Sequence, residues 1–157
     1  MRFFLLAFFY FLFNWCLDDD QTAPIDALEV KFNKDICSQG IKPGGQADVD
    51  FVNKVVVPYY MNETWLTKAP PAGWEKERHK IVAKCHKNSY NYCLEADQNK
   101  WSDCVKGMAG SLMLKYGATA MSFCPIFNEK VANFQKDDLP QVNRFFTQYC
   151  KTKGKTC

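Results

Sequence analysis

Two histidines, no closely spaced cysteine pair and a single long apolar run are all that these 157 residues offer to catalysis, metal binding or a membrane. General acid–base chemistry needs a titratable group beside a partner. His79 lies in the charged stretch Lys76-Glu77-Arg78-His79-Lys80 and is expected to face water, and His86 adjoins Cys85, so both read as exposed or capping groups. No G-x-S-x-G, H-E-x-x-H, P-loop or EF-hand pattern occurs. The nearest cysteines in sequence, Cys150 and Cys157 at the tail aside, are Cys85 and Cys93, with seven residues between them, whereas structural zinc sites use pairs two to four apart. The expectation is therefore no enzyme, no cofactor and no metal. An excess of one charge is also missing: 20 basic residues face 17 acidic ones, a net of +3, which gives no nucleic-acid footprint. Disorder is excluded by 47% hydrophobic and 15% aromatic residues, and the length suits one domain.

The apolar run stands at the N-terminus. Met1-Arg2 precedes Phe3 to Phe13 without a charged residue, and Asn14-Trp15-Cys16-Leu17 leads into Asp18-Asp19-Asp20. One basic residue, a short apolar core and an abrupt acidic boundary fit a secretory signal peptide, and the run is shorter than the roughly 20 residues a spanning helix needs. Cysteine is the small side chain at its end, so residues 1–16 read as signal peptide and 17–157 as a single secreted helical domain. That domain ends in a polar tail carrying Lys151, Lys153 and Lys155.

Secretion exposes thiols to an oxidising compartment, so Cys37, Cys85, Cys93, Cys104, Cys124, Cys150 and Cys157 are disulfide candidates. Seven is odd. One thiol is then free or joined to another chain, which allows a disulfide-linked dimer, unless processing spares Cys16. Cys157, last in the polar tail, is the expected odd residue. Six paired cysteines still permit 15 connectivities.

Apolar spacing along the chain predicts helices. Leu28, Phe32 and Ile36 mark a first one over 26–36, broken by Gly40, Pro43, Gly44 and Gly45. Residues 48–60 are ambiguous between helix and strand, because Val49, Val52 and Val56 recur helically while the valines are β-branched, and Pro58 is expected to end either. Further helices are predicted over 74–94, over 100–116 closed by Gly117, over 119–134 starting or kinking at Pro125, and over 138–150 capped by Asp137 or Asp138. Asn62-Glu63-Thr64 is a glycosylation sequon, which makes Asn62 a glycosylation candidate on an exposed loop. The fold expected is all-α, a small disulfide-stapled bundle of about four to six helices after a cleaved signal peptide.

Surplus aromatics are the remaining lead. Trp101, Met108, Phe123, Phe127, Phe145 and Tyr149 fall on helical stripes and are the candidate lining of a ligand pocket, against the alternative of a filled core. In size and layout the chain resembles the insect odorant-binding class of helical carriers, with a signal peptide and about six cysteines. That family separates its second and third cysteines by three residues, so no residue role is carried over. A secreted phospholipase shares the outline only, since His86 is followed by Lys87 rather than by the aspartate of that family, and no glycine-rich calcium loop precedes it. The expected function is a secreted binding protein holding a small hydrophobic ligand. The alternative is a protein–protein module, an inhibitor or effector, whose partner is an extracellular protein.

Overall fold

The structure, a computed structural model, describes Cys16 and residues 23–157, so the rest of the proposed signal peptide lies outside the described residues. All regular structure among the described residues is helical: α1 (Ala23–Asp35), a 3₁₀ turn (Cys37–Gln39), α2 (Gln46–Phe51), a π-helical turn (Val52–Val56), α3 (Val57–Tyr60), α4 (Glu63–Leu66), α5 (Trp74–Cys85), α6 (Glu95–Met121), α7 (Cys124–Ala132), α8 (Phe134–Asp137) and α9 (Leu139–Thr152). Among the described residues nine α-helices stand in place of the four to six expected. The excess consists of short pieces, since α3, α4 and α8 have four residues each and α2 has six.

Residues 46–60 resolve as helix, and Pro58 does not end them. Asp48, in the first turn of α2, accepts hydrogen bonds from the Gly44 and Gly45 N–H groups, both at 2.9 Å, which occupies donors that a helix start leaves unpaired. Pro58 falls in the first turn of α3, where the ladder has just widened to the Val57 N–H to Val52 carbonyl bond, so its missing N–H removes little.

The expected helix over 74–94 stops at Cys85. Residues 86–94 form a loop held from outside its own sequence neighbourhood: Tyr92 N–H donates to the Pro43 carbonyl at 2.7 Å, and Cys93 is bonded to Cys37. Gly44 fits only as glycine here, because a β-carbon would lie 1.7 Å from the Tyr90 carbonyl oxygen. Gly117 does not close the long helix, which runs on to Met121.

Two apolar clusters fill the interior. The larger joins Leu28 and Phe32 of α1, and Ile36 just after it, to Val56, Tyr60, Trp65 and Phe127, and to Val142, Phe145, Phe146 and Tyr149 of α9. Ring pairs link it, with Tyr60 edge-on to Trp65 at 5.2 Å, Tyr59 edge-on to Phe145 at 5.5 Å and Trp65 tilted against Phe127 at 6.0 Å, each contributing about 0.5–1.5 kcal/mol beyond its burial. The smaller cluster, Ile81, Cys85, Tyr92, Trp101, Val105 and Leu112, lies between α5 and α6. Cys85–Cys104 staples those two helices, and Glu77 on α5 meets Lys115 on α6 at 2.7 Å.

The remaining bridges are Cys150–Cys157, which folds the tail back on α9, and Cys16–Cys124. All eight cysteines are paired. Cys157 is therefore not the odd thiol that the sequence suggested.

Candidate functional site

Packing leaves a small gap where α1, the π-helical turn and α9 meet. Phe32 and Ile36, Val52 and Val56, and Phe145 and Tyr149 line it, and its volume is about 40 Å³. Cavities that bind benzene are near 150 Å³ and ordinary ligand pockets roughly 300–1,000 Å³. The gap is an imperfection of packing in this conformation. Of the six candidate pocket residues, Phe145 and Tyr149 line it. Phe123 and Phe127 belong to the same large cluster, with rings 6.4 Å apart, but do not reach the gap. Trp101 and Met108 belong to the other cluster. The six therefore do not converge on one pocket.

Beside the gap sits a buried polar network. Asp48 is 4% exposed, and it accepts from Tyr149 Oη at 2.8 Å and from Lys153 Nζ at 2.5 Å as well as from the two glycine N–H groups. Burial by itself pushes the carboxyl up, but the bonds from Lys153, Gly44, Tyr149 and Gly45 outweigh it and hold Asp48 below the usual carboxylate range. A fully satisfied carboxylate of this kind orients helices. It has no spare lone pair turned toward a substrate.

A second buried carboxyl behaves oppositely. Asp138, just before α9, accepts the Trp65 indole N–H at 2.7 Å, and burial pushes it above the usual range despite that bond. His86 is half-buried, with Nδ1 2.8 Å from Tyr92 Oη and Nε2 3.2 Å from Asn88 Oδ1. Burial holds its imidazole below the usual value, while the Asn88 bond and the Asp48 charge act weakly the other way. His79 is exposed and touches Arg78. Among the described residues no group of three His, Cys, Asp or Glu is placed to hold a metal, and no helix is long and apolar enough to cross a membrane.

The surface holds a feature that stripe-reading overlooked. The inward face of α6 carries Trp101, Val105 and Leu112, as its spacing suggested. Its outward face carries Gly107, Gly110, Ser111, Leu114, Ala118 and Met121, with Leu114 93% and Met121 51% exposed. Lys115 is the sole charged residue from Gly107 to Met121, and it turns aside onto Glu77. The sequence signal was the 3-4-3-4 spacing of Gly107, Gly110, Leu114, Gly117 and Met121, masked because glycine scores as a helix breaker rather than as a surface that admits another backbone.

Asn62 occupies the N-cap of α4. Its Oδ1 accepts the Trp65 N–H at 2.9 Å, and its Nδ2 donates to the Pro58 and Tyr59 carbonyls at 3.1 and 2.6 Å. Comparison with protein-family models, with curated proteins and with solved structures found no match to the chain.

Proposed function

We propose that the chain is a secreted, disulfide-stapled binding module that works through its surface, without catalysis and without a resident small ligand. The observation that carries this reading is Leu114, 93% exposed at the centre of an uncharged helix face about 21 Å long. Leaving a large apolar side chain in water is unfavourable by roughly 1.5–3 kcal/mol relative to burying it, and Leu114 with Met121 on one uncharged face supports an interaction surface there. Three disulfides with both ends in 17–157, and the absence among the described residues of a membrane-length apolar helix, support an extracellular setting. Residues 1–16 are the leader, 17–157 form one domain, and Asn62 is glycosylated in this reading.

The second reading, a carrier of a small hydrophobic ligand, is favoured by the apolar gap under the π-helical turn, since such turns recur at functional sites. The gap would have to grow several-fold to hold one. Native mass spectrometry of the secreted protein, repeated after denaturation without reduction, separates the two. The surface module loses no small molecule on denaturation. A ligand released in stoichiometric amount overturns that reading in favour of the carrier.

A further inference from the structure

Of the eight half-cystines Cys157 alone is exposed, whereas Cys85 and Cys150 are buried and the others half-buried. Its bridge to Cys150 also closes the shortest stretch of chain. The separation is 7 residues, against 19 for Cys85–Cys104 and 56 for Cys37–Cys93, the other two bridges with both ends inside 17–157. A thiolate reduces a disulfide by attacking one of its sulfurs, so access to a sulfur decides which bridge opens while the protein stays folded. A short closed loop restrains the unfolded chain least, so its bridge adds least stability to be lost on reduction. Both observations single out Cys150–Cys157.

The charges around the bridge favour the same reaction. Lys151, Lys153 and Lys155 lie between its cysteines, with no acidic residue among them. Lys151 and Lys155 are exposed. Cations near Cys157 favour its thiolate and draw an anionic thiol toward it.

The loop also bears on the buried network. Lys153, inside it, places Nζ 2.5 Å from Asp48 Oδ1. The turn is formed by the Lys153 and Lys155 N–H groups, both donating to the Cys150 carbonyl at 2.9 Å, with Gly154 at φ +65°. The two sulfurs lie against the last residue of α1, Cys150 Sγ 3.9 Å and Cys157 Sγ 2.8 Å from the Asp35 carbonyl oxygen. The closed bridge therefore fixes both ends of the segment that carries Lys153. Once it opens, the segment is fixed at one end only. An ion pair made by a long, partly exposed side chain gains little against the freedom it then has to give up.

We propose that Cys150–Cys157 is a redox latch: a small anionic thiol such as glutathione opens it in the folded protein while Cys37–Cys93 and Cys85–Cys104 stay closed, and opening loosens Lys153 from Asp48. The thiolate attacks Cys157 Sγ, because Cys150 has no exposed surface. The Cys150–Cys157 bond breaks, a mixed disulfide forms on Cys157, and Cys150 leaves as a thiolate that takes a proton from water. A second small thiolate attacks the small-molecule sulfur of that mixed disulfide and releases Cys157 as thiolate. One protein disulfide is reduced, and two small thiols are oxidised to one small disulfide. The small disulfide runs the same steps backward and closes the latch. This inference holds under either reading of the function, since it needs only that the chain meets small thiols.

The test titrates the full secreted chain with glutathione in the absence of denaturant, traps free thiols with N-ethylmaleimide and maps them by peptide mass. Cys16 and Cys124 are left out of the comparison, because the leader boundary falls at Cys16. Cys150 and Cys157 are expected to be trapped at a several-fold lower glutathione concentration than Cys37, Cys85, Cys93 and Cys104, with the circular dichroism of the folded protein retained. Trapping of all these cysteines together, or of Cys150 and Cys157 last, overturns the latch. A variant carrying Cys150→Ala and Cys157→Ser holds the loop open without reductant. Its urea midpoint is expected to fall below that of the parent, and the fall is expected to be much smaller when both proteins also carry Lys153→Met. An equal fall in the two backgrounds would show that the bridge acts apart from Lys153 and Asp48, and overturns the coupling.

Discussion

The Tyr149 hydroxyl on α9 donates to Asp48 Oδ1 on α2 at 2.8 Å, across 101 residues of sequence. With Lys153 on the same oxygen, this fixes the C-terminal helix against the first half of the chain. Asp48→Asn is expected to cost about 1.5–3 kcal/mol, as charge-assisted bonds do, and Tyr149→Phe about 1 kcal/mol, both read by urea denaturation. Because Asp48 is depressed in the folded protein, its contribution is complete above the unfolded carboxyl value and is lost as pH falls through the folded one. The urea midpoint of the parent therefore drops below about pH 4, and the Asp48→Asn profile is flatter there.

His86 acts in a different window. Burial favours its neutral form, so the unfolded chain takes up a proton first as pH falls. Stability contributed by neutral His86 is complete above about pH 6.5 and declines from there toward its lower folded value. His86→Asn is expected to remove that slope below about pH 6.5 while leaving the acid limb of Asp48 intact. An unchanged slope in the variant would assign the titration elsewhere.

Gly44→Ala is expected to cost about 3 kcal/mol or more, because its β-carbon would strike the Tyr90 carbonyl. Gly40, at φ +72° with open space around it, is the control, and Gly40→Ala is expected to cost about 1–2 kcal/mol from backbone strain alone. Thermal or urea midpoints measure both.

Helices with one apolar stripe were legible in the sequence. Leu28 and Phe32 in α1 with Ile36 just after it, and Val142, Phe145, Phe146 and Tyr149 in α9, point one way at helical spacing and are all buried. What failed was whatever depended on distant partners. The end of α5 at Cys85 is decided by Pro43 and Cys37, which hold the following loop, and neither leaves a mark near residue 86. The valines of 49–57 left helix and strand both open, since their spacing is helical while β-branched residues fit pleated surfaces, and Asp48 starts the helix that carries them. Disulfide partners were beyond reach for the same reason, since spacing fixes no connectivity. On α6 only the inward stripe was read, although the bare seam from Gly107 to Met121 stood in the same segment.

The gap beneath the π-helical turn is a packing defect if it accepts one methylene without strain. Val56, 4% exposed, lines it. Val56→Ile is expected to raise stability by about 0.5–1 kcal/mol, near the value of one buried CH₂, whereas Phe145→Ala is expected to cost about 3–5 kcal/mol. A loss above about 1 kcal/mol for Val56→Ile would show that the space is already filled.

Asn62 serves the sequon and the α4 cap together, and two substitutions separate the roles. Asn62→Gln is expected to remove the glycan and cost about 1 kcal/mol through the lost cap. Thr64→Ala is expected to remove the glycan while the cap stays. Gel mobility before and after deglycosylation, with melting of the deglycosylated proteins, reads both effects.

Hydroxyl-radical footprinting of the secreted protein tests the surface reading most directly. Leu114 and Met121 are compared with Val30 and Leu94, apolar side chains that are also exposed but lie off the seam. Labelling of Leu114 and Met121 in the secretion medium is expected to fall several-fold below that of the protein purified alone, with Val30 and Leu94 unchanged. Labelling of Leu114 and Met121 that is the same in the medium and in the purified protein would mean that nothing covers the α6 face, and would contradict the account.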